Sequence, residues 1–222
     1  MKLKVGVMGS ASGELMADPT VRLRVASLGR AVAQAGCVLV NGACPGLPDV
    51  AAEAANEAGG LVVGISPAFS EAEHVHIYTS PIAHYDVLLY TGLGLMERDI
   101  INIRSSDVVI FVAGGMGTLN EFTVAYEERK VIGALTGLGG VSDRLQEVLD
   151  LSGRRWRPET MAVDSDPVRL VERVIGLHAG YQGPVLESQV GADKPASWDH
   201  LEALRRALKR ERGGPLGDGE PT

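Results

Sequence analysis

Two cysteines in 222 residues are too few for a disulfide framework. Cys37 opens an apolar run and reads as a small core residue, whereas Cys44 lies in a Gly/Pro loop. A bridge between them is not expected, and the chain reads as a cytoplasmic protein. Aromatic residues make up only 5% of the chain. That leaves no broad platform on which single-stranded nucleic acid could stack. The 21 basic residues are outnumbered by 28 acidic ones, for a net charge of −7. Such a chain repels a phosphate backbone, so neither DNA nor RNA is an expected partner. No apolar run approaches membrane-spanning length, and the opening MKLKVGVMG alternates like a strand rather than a signal peptide. Stable membrane insertion is therefore not expected.

Familiar nucleotide signatures are missing too. No Gly-Lys-Ser/Thr occurs, so there is no Walker loop. The early glycines fall at 6, 9 and 13, which does not match the dinucleotide spacing G-x-G-x-x-G. Asn41 stands near the end of the second strand, where a dinucleotide site wants a carboxylate for the ribose hydroxyls. Lysine is scarce in the strand region. Beyond Lys2 and Lys4 only Lys130 is available, and it begins its strand, away from the carboxyl edge where ligands bind. A pyridoxal-phosphate decarboxylase, which needs a Schiff-base lysine, is rejected.

What the chain does have is an alternation. Short apolar runs at residues 3–8, 37–40, 61–65, 87–90, 108–112, 131–135 and 160–163 read as strands. Helical patterns at 20–35, from Pro48, at 93–104, from Thr118, at 142–151 and at 166–177 separate most of them. Strand-helix alternation of this kind implies an α/β fold, a Rossmann-like doubly wound parallel sheet in a single domain. The expected organisation is a nucleotide-binding domain at 1–179, a linker at 180–197, an amphipathic helix at 198–212 and a disordered tail at 213–222. In the helix at 93–104, Leu95, Met96, Ile100 and Ile103 are expected to face the core. Residues 66–86 read as an irregular, solvated loop. His74 and His76 alternate there beside Glu71 and Glu73, but no metal is assigned to them.

The stretch DVVIFVAGGMGTLNEFTVAYEE organises the rest. An apolar strand runs into Gly114, Gly115 and Gly117, and Thr118 opens a helix. Strand, glycine loop and helix N-terminus together aim backbone N–H groups outward, and a phosphate suits that end. Thr118 and Glu121 also have the spacing of a capping box, which would need no ligand. Topology brings two further small-residue loops to the same sheet edge, one with Gly9 and Ser10 and one with Gly42, Cys44 and Gly46. The basic residues Arg154, Arg155 and Arg157 read as a solvated loop around Trp156.

The run AGGMGTLNE resembles the PGGxGTxxE signature of the LOG family, proteins once labelled lysine decarboxylases. With GACPGLPDVAAEAA, NIRSSDVVIF and GTLNEFTVAYEERKVIGAL, the chain is most similar to the SLOG cluster 4 branch. The resemblance implies that the chain binds a phosphorylated nucleotide-like ligand. Two readings stay open. One is hydrolysis of the N-glycosidic bond of a nucleoside 5'-monophosphate to base and ribose 5-phosphate, with Arg98 and Glu121 as catalytic residues. The other is a non-catalytic nucleotide sensor or a carrier of the molybdenum cofactor, a pterin phosphate. No resident cofactor is implied, and at least a homodimer is. Gly9, Ser10, Gly42, Cys44, Gly46, Gly114, Gly115, Gly117 and Thr118 would bind the ligand or its phosphate. Asp99 follows Arg98 where the LOG pattern has lysine, and Ala113 replaces the leading proline.

Overall fold

A computed structural model describes residues 1–181; most of the expected linker, the amphipathic helix and the tail lie outside the described residues. Seven parallel strands form one sheet: β1 (Lys4–Gly9), β2 (Val38–Asn41), β3 (Leu61–Ser66), β4 (Val87–Tyr90), β5 (Val108–Val112), β6 (Val131–Leu135) and β7 (Met161–Asp164). Their order is β4-β3-β2-β1-β5-β6-β7, so the chain turns from one half of the sheet to the other between β1 and β5. Register pairs Gly9 with Val112 at the ends of those two strands. The loops that leave β1 and β5 must diverge there, which opens a crevice at the carboxyl edge. The α/β doubly wound expectation holds.

Each face of the sheet packs its own core. Helices α1 (Pro19–Gln34), α2 (Leu47–Glu57) and α7 (Pro167–Gly180) cover Val5, Val7, Leu39, Val108 and Ile110. Helices α4 (Gly94–Ser105), α5 (Met116–Glu127) and α6 (Leu145–Leu151) cover Met8, Val109, Phe111, Ile132 and Ala134. Strand β5 alternates between the two cores, and all five of its residues are buried. This is why its sequence shows no polar alternation. Phe111 meets Phe122 of α5 edge to face, ring centroids 5.7 Å apart. Asp18 and Asp166 cap α1 and α7, each side chain accepting from two backbone N–H groups ahead of a first-turn proline.

Three local expectations are corrected. Residues 71–76, expected to be irregular, form a short helix, α3 (Glu71–His76), capped by Ser70. His74 is fully buried there, its ring nitrogens 2.8 Å from the Ser66 hydroxyl and 3.0 Å from the Pro81 carbonyl, while His76 is exposed. The helix beginning near residue 142 starts instead at Leu145. A 3-10 turn precedes it, in which the Ser142 hydroxyl accepts from Ala113 N–H and donates to the Leu135 carbonyl. Helix α4 is the largest departure. Leu95 and Met96 are exposed, and the buried residues are Arg98, Asp99, Asn102 and Ile103. A helix packed beside a polar crevice buries polar groups inward, so apolar periodicity points its faces the wrong way.

Candidate functional site

The crevice over β1 and β5 is a cavity of about 630 Å³. Its floor is Gly9 and Ser10 from the end of β1 and the turn after β5. One wall is Gly42 and Cys44 after β2, and another is Arg98 and Asp99 from α4. Glu121 enters from α5. The elements expected to converge by topology therefore do so.

The turn after β5 is not the capping box that the spacing of Thr118 and Glu121 also allows. Helix α5 begins at Met116 with Gly115 as N-cap, and no side chain caps it. Thr118 is instead buried against Gly114, whose φ of 98° and closeness to that side chain make any Cβ there strained and crowded. No acceptor among the described residues meets the N–H groups of Gly115, Met116, Gly117 and Thr118. These are the orphan donors of a helix N-terminus, and here they line the cavity. A Cβ built on Gly115 or Gly117 meets nothing within 4 Å. Protein packing thus does not call for glycine at either position, whereas close approach of a ligand does.

The second loop is held by its own polar groups. Asn41, buried, donates to the Pro48 carbonyl at 2.9 Å and accepts from Ala43 N–H at 2.9 Å. Its side chain braces the loop and faces inward. Gly42 leaves room for the Arg98 guanidinium, which packs directly on it, and Arg98 Nη2 lies 3.5 Å from the Cys44 sulfur. Burial pushes the Cys44 thiol above its ordinary range despite the nearby guanidinium. Gly46 and Ser10 each have a structural role in this region. Gly46 does not line the cavity but lies against the backbone of Ser10, and the Ser10 hydroxyl accepts from Gly114 N–H at 2.9 Å. Ser10 still borders the cavity while tying the β1 and β5 loops together.

Arg98, Asp99 and Glu121 are 5%, 6% and 7% exposed. Arg98 Nη1 is 3.6 Å from Asp99 Oδ1, and its Nε has no partner. Asn120 donates to Asp99 at 3.5 Å, and the Glu121 carboxyl makes no hydrogen bond to the described residues. Burial, with the Asp99 charge adding to it and Arg98 opposing, pushes the Glu121 carboxyl up to about 8. Burial also raises Asp99 above the usual carboxylate range. Asp99 is the residue that pattern reading missed as a site member; its only sequence signal was its place beside Arg98. The rim adds Leu15, Leu95, Met96 and Met116. By contrast Lys130 donates to the Arg104 and Ser106 carbonyls at the amino ends of the strands. The basic loop is engaged there too, with Arg157 over the Tyr126 ring at 3.7 Å and Arg154 paired to Glu127.

The family model described as the SLOG cluster4 family matches residues 2–166. The chain belongs to that family. Among its relatives, an uncharacterized protein of Archaeoglobus fulgidus is 33% identical over 136 residues, 61% of this chain and 82% of that protein. Among solved structures, a molybdenum cofactor binding protein from Rippkaea orientalis is 32% identical, with a TM-score of 0.61 over 81% of this chain and 97% of that one. A molybdenum cofactor carrier protein from Chlamydomonas reinhardtii is 28% identical, TM-score 0.62, covering 80% and 99%. DNA processing protein A from Helicobacter pylori, described with a single-stranded DNA binding mode, shares the fold at 17% identity and a TM-score of 0.54 over 78% and 80%. This corrects one expectation of the partner set. Net acidity and few aromatics do not exclude nucleic acid for this architecture, because local surface rather than net charge decides such binding. No helix among the described residues is long and apolar enough to cross a membrane.

Proposed function

We propose that this SLOG cluster 4 chain binds a phosphorylated, nucleotide-like small molecule in the crevice and holds it without turnover, as a carrier or sensor. The observation that carries this reading is the uncapped N-terminus of α5. Four unpaired N–H groups and two glycines with open space at the Cβ position face a cavity of about 630 Å³. A phosphate would satisfy those donors and complement the helix dipole. Arg98, with a free Nε, supplies the fixed cation beside it. Relatives described as binding or carrying the molybdenum cofactor, itself a pterin phosphate, support a ligand of that size and charge.

The test is isothermal titration of the purified chain with GMP, AMP and orthophosphate, after native mass spectrometry for any retained ligand. Micromolar to low-millimolar binding of a nucleotide, competed by orthophosphate and weakened at least about tenfold in Arg98→Met, is expected. Absence of binding by all three compounds refutes the reading.

Hydrolysis is the second reading, and Glu121 is the observation that favours it. A buried carboxyl raised to about 8 is still protonated at neutral pH and could donate to a departing base. Incubation with nucleoside monophosphates decides it. Base released by the wild type and lost in Glu121→Ala supports turnover; binding without release supports the carrier.

A further inference from the structure

The mouth of the crevice is apolar where local rules favour polar groups. Leu95 and Met96 are the second and third residues of α4, and Met116 is the first of α5. The first turn of a helix favours acidic side chains, which complement its dipole and its free N–H groups. Nor do these three serve the core, since they are 51%, 53% and 80% exposed. All three nonetheless line the cavity. Lining residues that are exposed stand at its mouth, whereas Arg98 and Glu121, lining but buried, stand deeper. Helices α4 and α5 each follow a strand of one parallel sheet, so both begin at its carboxyl edge. They pack against each other on the same face of that sheet, and packed helices stand roughly 8–10 Å apart. Side chains of the two first turns therefore share one opening. Met116 also lies between Gly115 and Gly117, within the turn that carries the unpaired N–H groups. A ligand seated there by its phosphate has Met116 beside it.

We propose that Leu95, Met96 and Met116 form an apolar clip at the mouth of the crevice that takes the flat face of an aromatic heterocycle, so that a bare sugar phosphate is held poorly. The inference rests on the phosphate reading of the turn given above. A single exposed apolar side chain needs no explanation, but three around one polar-floored cavity give it the mixed lining of a small-molecule site. The polar floor suits the phosphate, and the apolar mouth suits a ring. Methionine is unbranched and polarisable, adapts to a flat surface and makes favourable sulfur-to-ring contacts. Closing such side chains over a ring removes apolar surface from water on both sides of the contact, which a ribose with its hydroxyls cannot match. Purine and pterin rings both offer such a face.

The experiment compares GMP, AMP, ribose 5-phosphate and orthophosphate by isothermal titration. The wild-type chain is set beside a variant carrying Leu95→Ser, Met96→Ser and Met116→Ser, with thermal melts and light-scattering masses of both. In the wild type the tighter-binding nucleotide should exceed ribose 5-phosphate at least about tenfold. In the variant that gap should close to within about threefold, while ribose 5-phosphate and orthophosphate keep their affinity. Equal affinity for the nucleotides and ribose 5-phosphate in the wild type overturns the inference and leaves the phosphate reading standing. Failure of all four ligands overturns both. A variant that loses every ligand in parallel makes the three side chains merely structural and overturns it. A variant that keeps the gap but has a smaller mass in solution assigns the rim to a second copy of the chain, and also overturns it.

Discussion

Gly117→Ala separates a glycine kept for the fold from one kept for a ligand. Gly117 is the second residue of α5, and a Cβ there meets nothing within 4 Å. The substitution should therefore not disturb packing. Replacing glycine by alanine in a helix stabilises by roughly 0.5–1 kcal/mol, less near the helix start, partly by narrowing the unfolded ensemble. For a domain of this size that is a rise in melting temperature of about 1–4 °C. Yet the new methyl group stands where a phosphate oxygen would approach the N–H groups of the turn. Affinity for GMP or orthophosphate should fall at least about tenfold, about 1.4 kcal/mol. Gly114→Ala is the internal contrast. Its φ of 98° and the Thr118 side chain beside it make alanine strained and crowded. That variant should lose about 1–3 kcal/mol of stability. Urea denaturation and titration on the same preparations give both quantities. If Gly117→Ala is stabilised and binds as tightly as the wild type, the turn is not the phosphate seat and the reasoning is refuted.

Glu121 sets a pH dependence of stability. Its carboxyl is raised from about 4.5 to about 8 in the folded chain. Between those values the folded state holds a proton that the unfolded state has lost, so stability falls as pH rises and levels above about 8. The fall is bounded at roughly 5 kcal/mol, and denaturation of Glu121→Gln across pH 4–9 should lack it; an unchanged pH profile would contradict the assigned burial. Gly42→Ala places a methyl group against the Arg98 guanidinium. Moving that group should weaken phosphate binding about tenfold or more while costing about 1–3 kcal/mol of stability, and a variant with native affinity in titration would show that Arg98 does not touch the ligand.

Buried strands announce themselves because a parallel sheet covered on both faces needs unbroken apolar runs. Residues 108–112 and 131–135 were legible to the residue for that reason. Glycine at 114 and arginine at 98, singled out through the family signature, line the crevice. Three features were not legible. Periodicity assigned Leu95 and Met96 to the core, but α4 turns Arg98, Asp99 and Asn102 inward. The spacing of Thr118 and Glu121 suggested a capping box, but the helix begins two residues earlier, which makes Thr118 packing and Glu121 a free carboxyl. Gly46 was assigned to the ligand, yet it packs on Ser10 and does not line the cavity.

By itself the sequence determined the alternating α/β order, the glycine turn after β5 and the family, because these rest on local propensity and on hydrophobic runs readable one segment at a time. Only the tertiary structure decided which polar groups of α4 and α5 share the crevice, and that Asp99 stands among them. The raised Asp99 and Glu121 carboxyls arise from burial by segments distant in the chain, and no local pattern records what will be packed against a side chain.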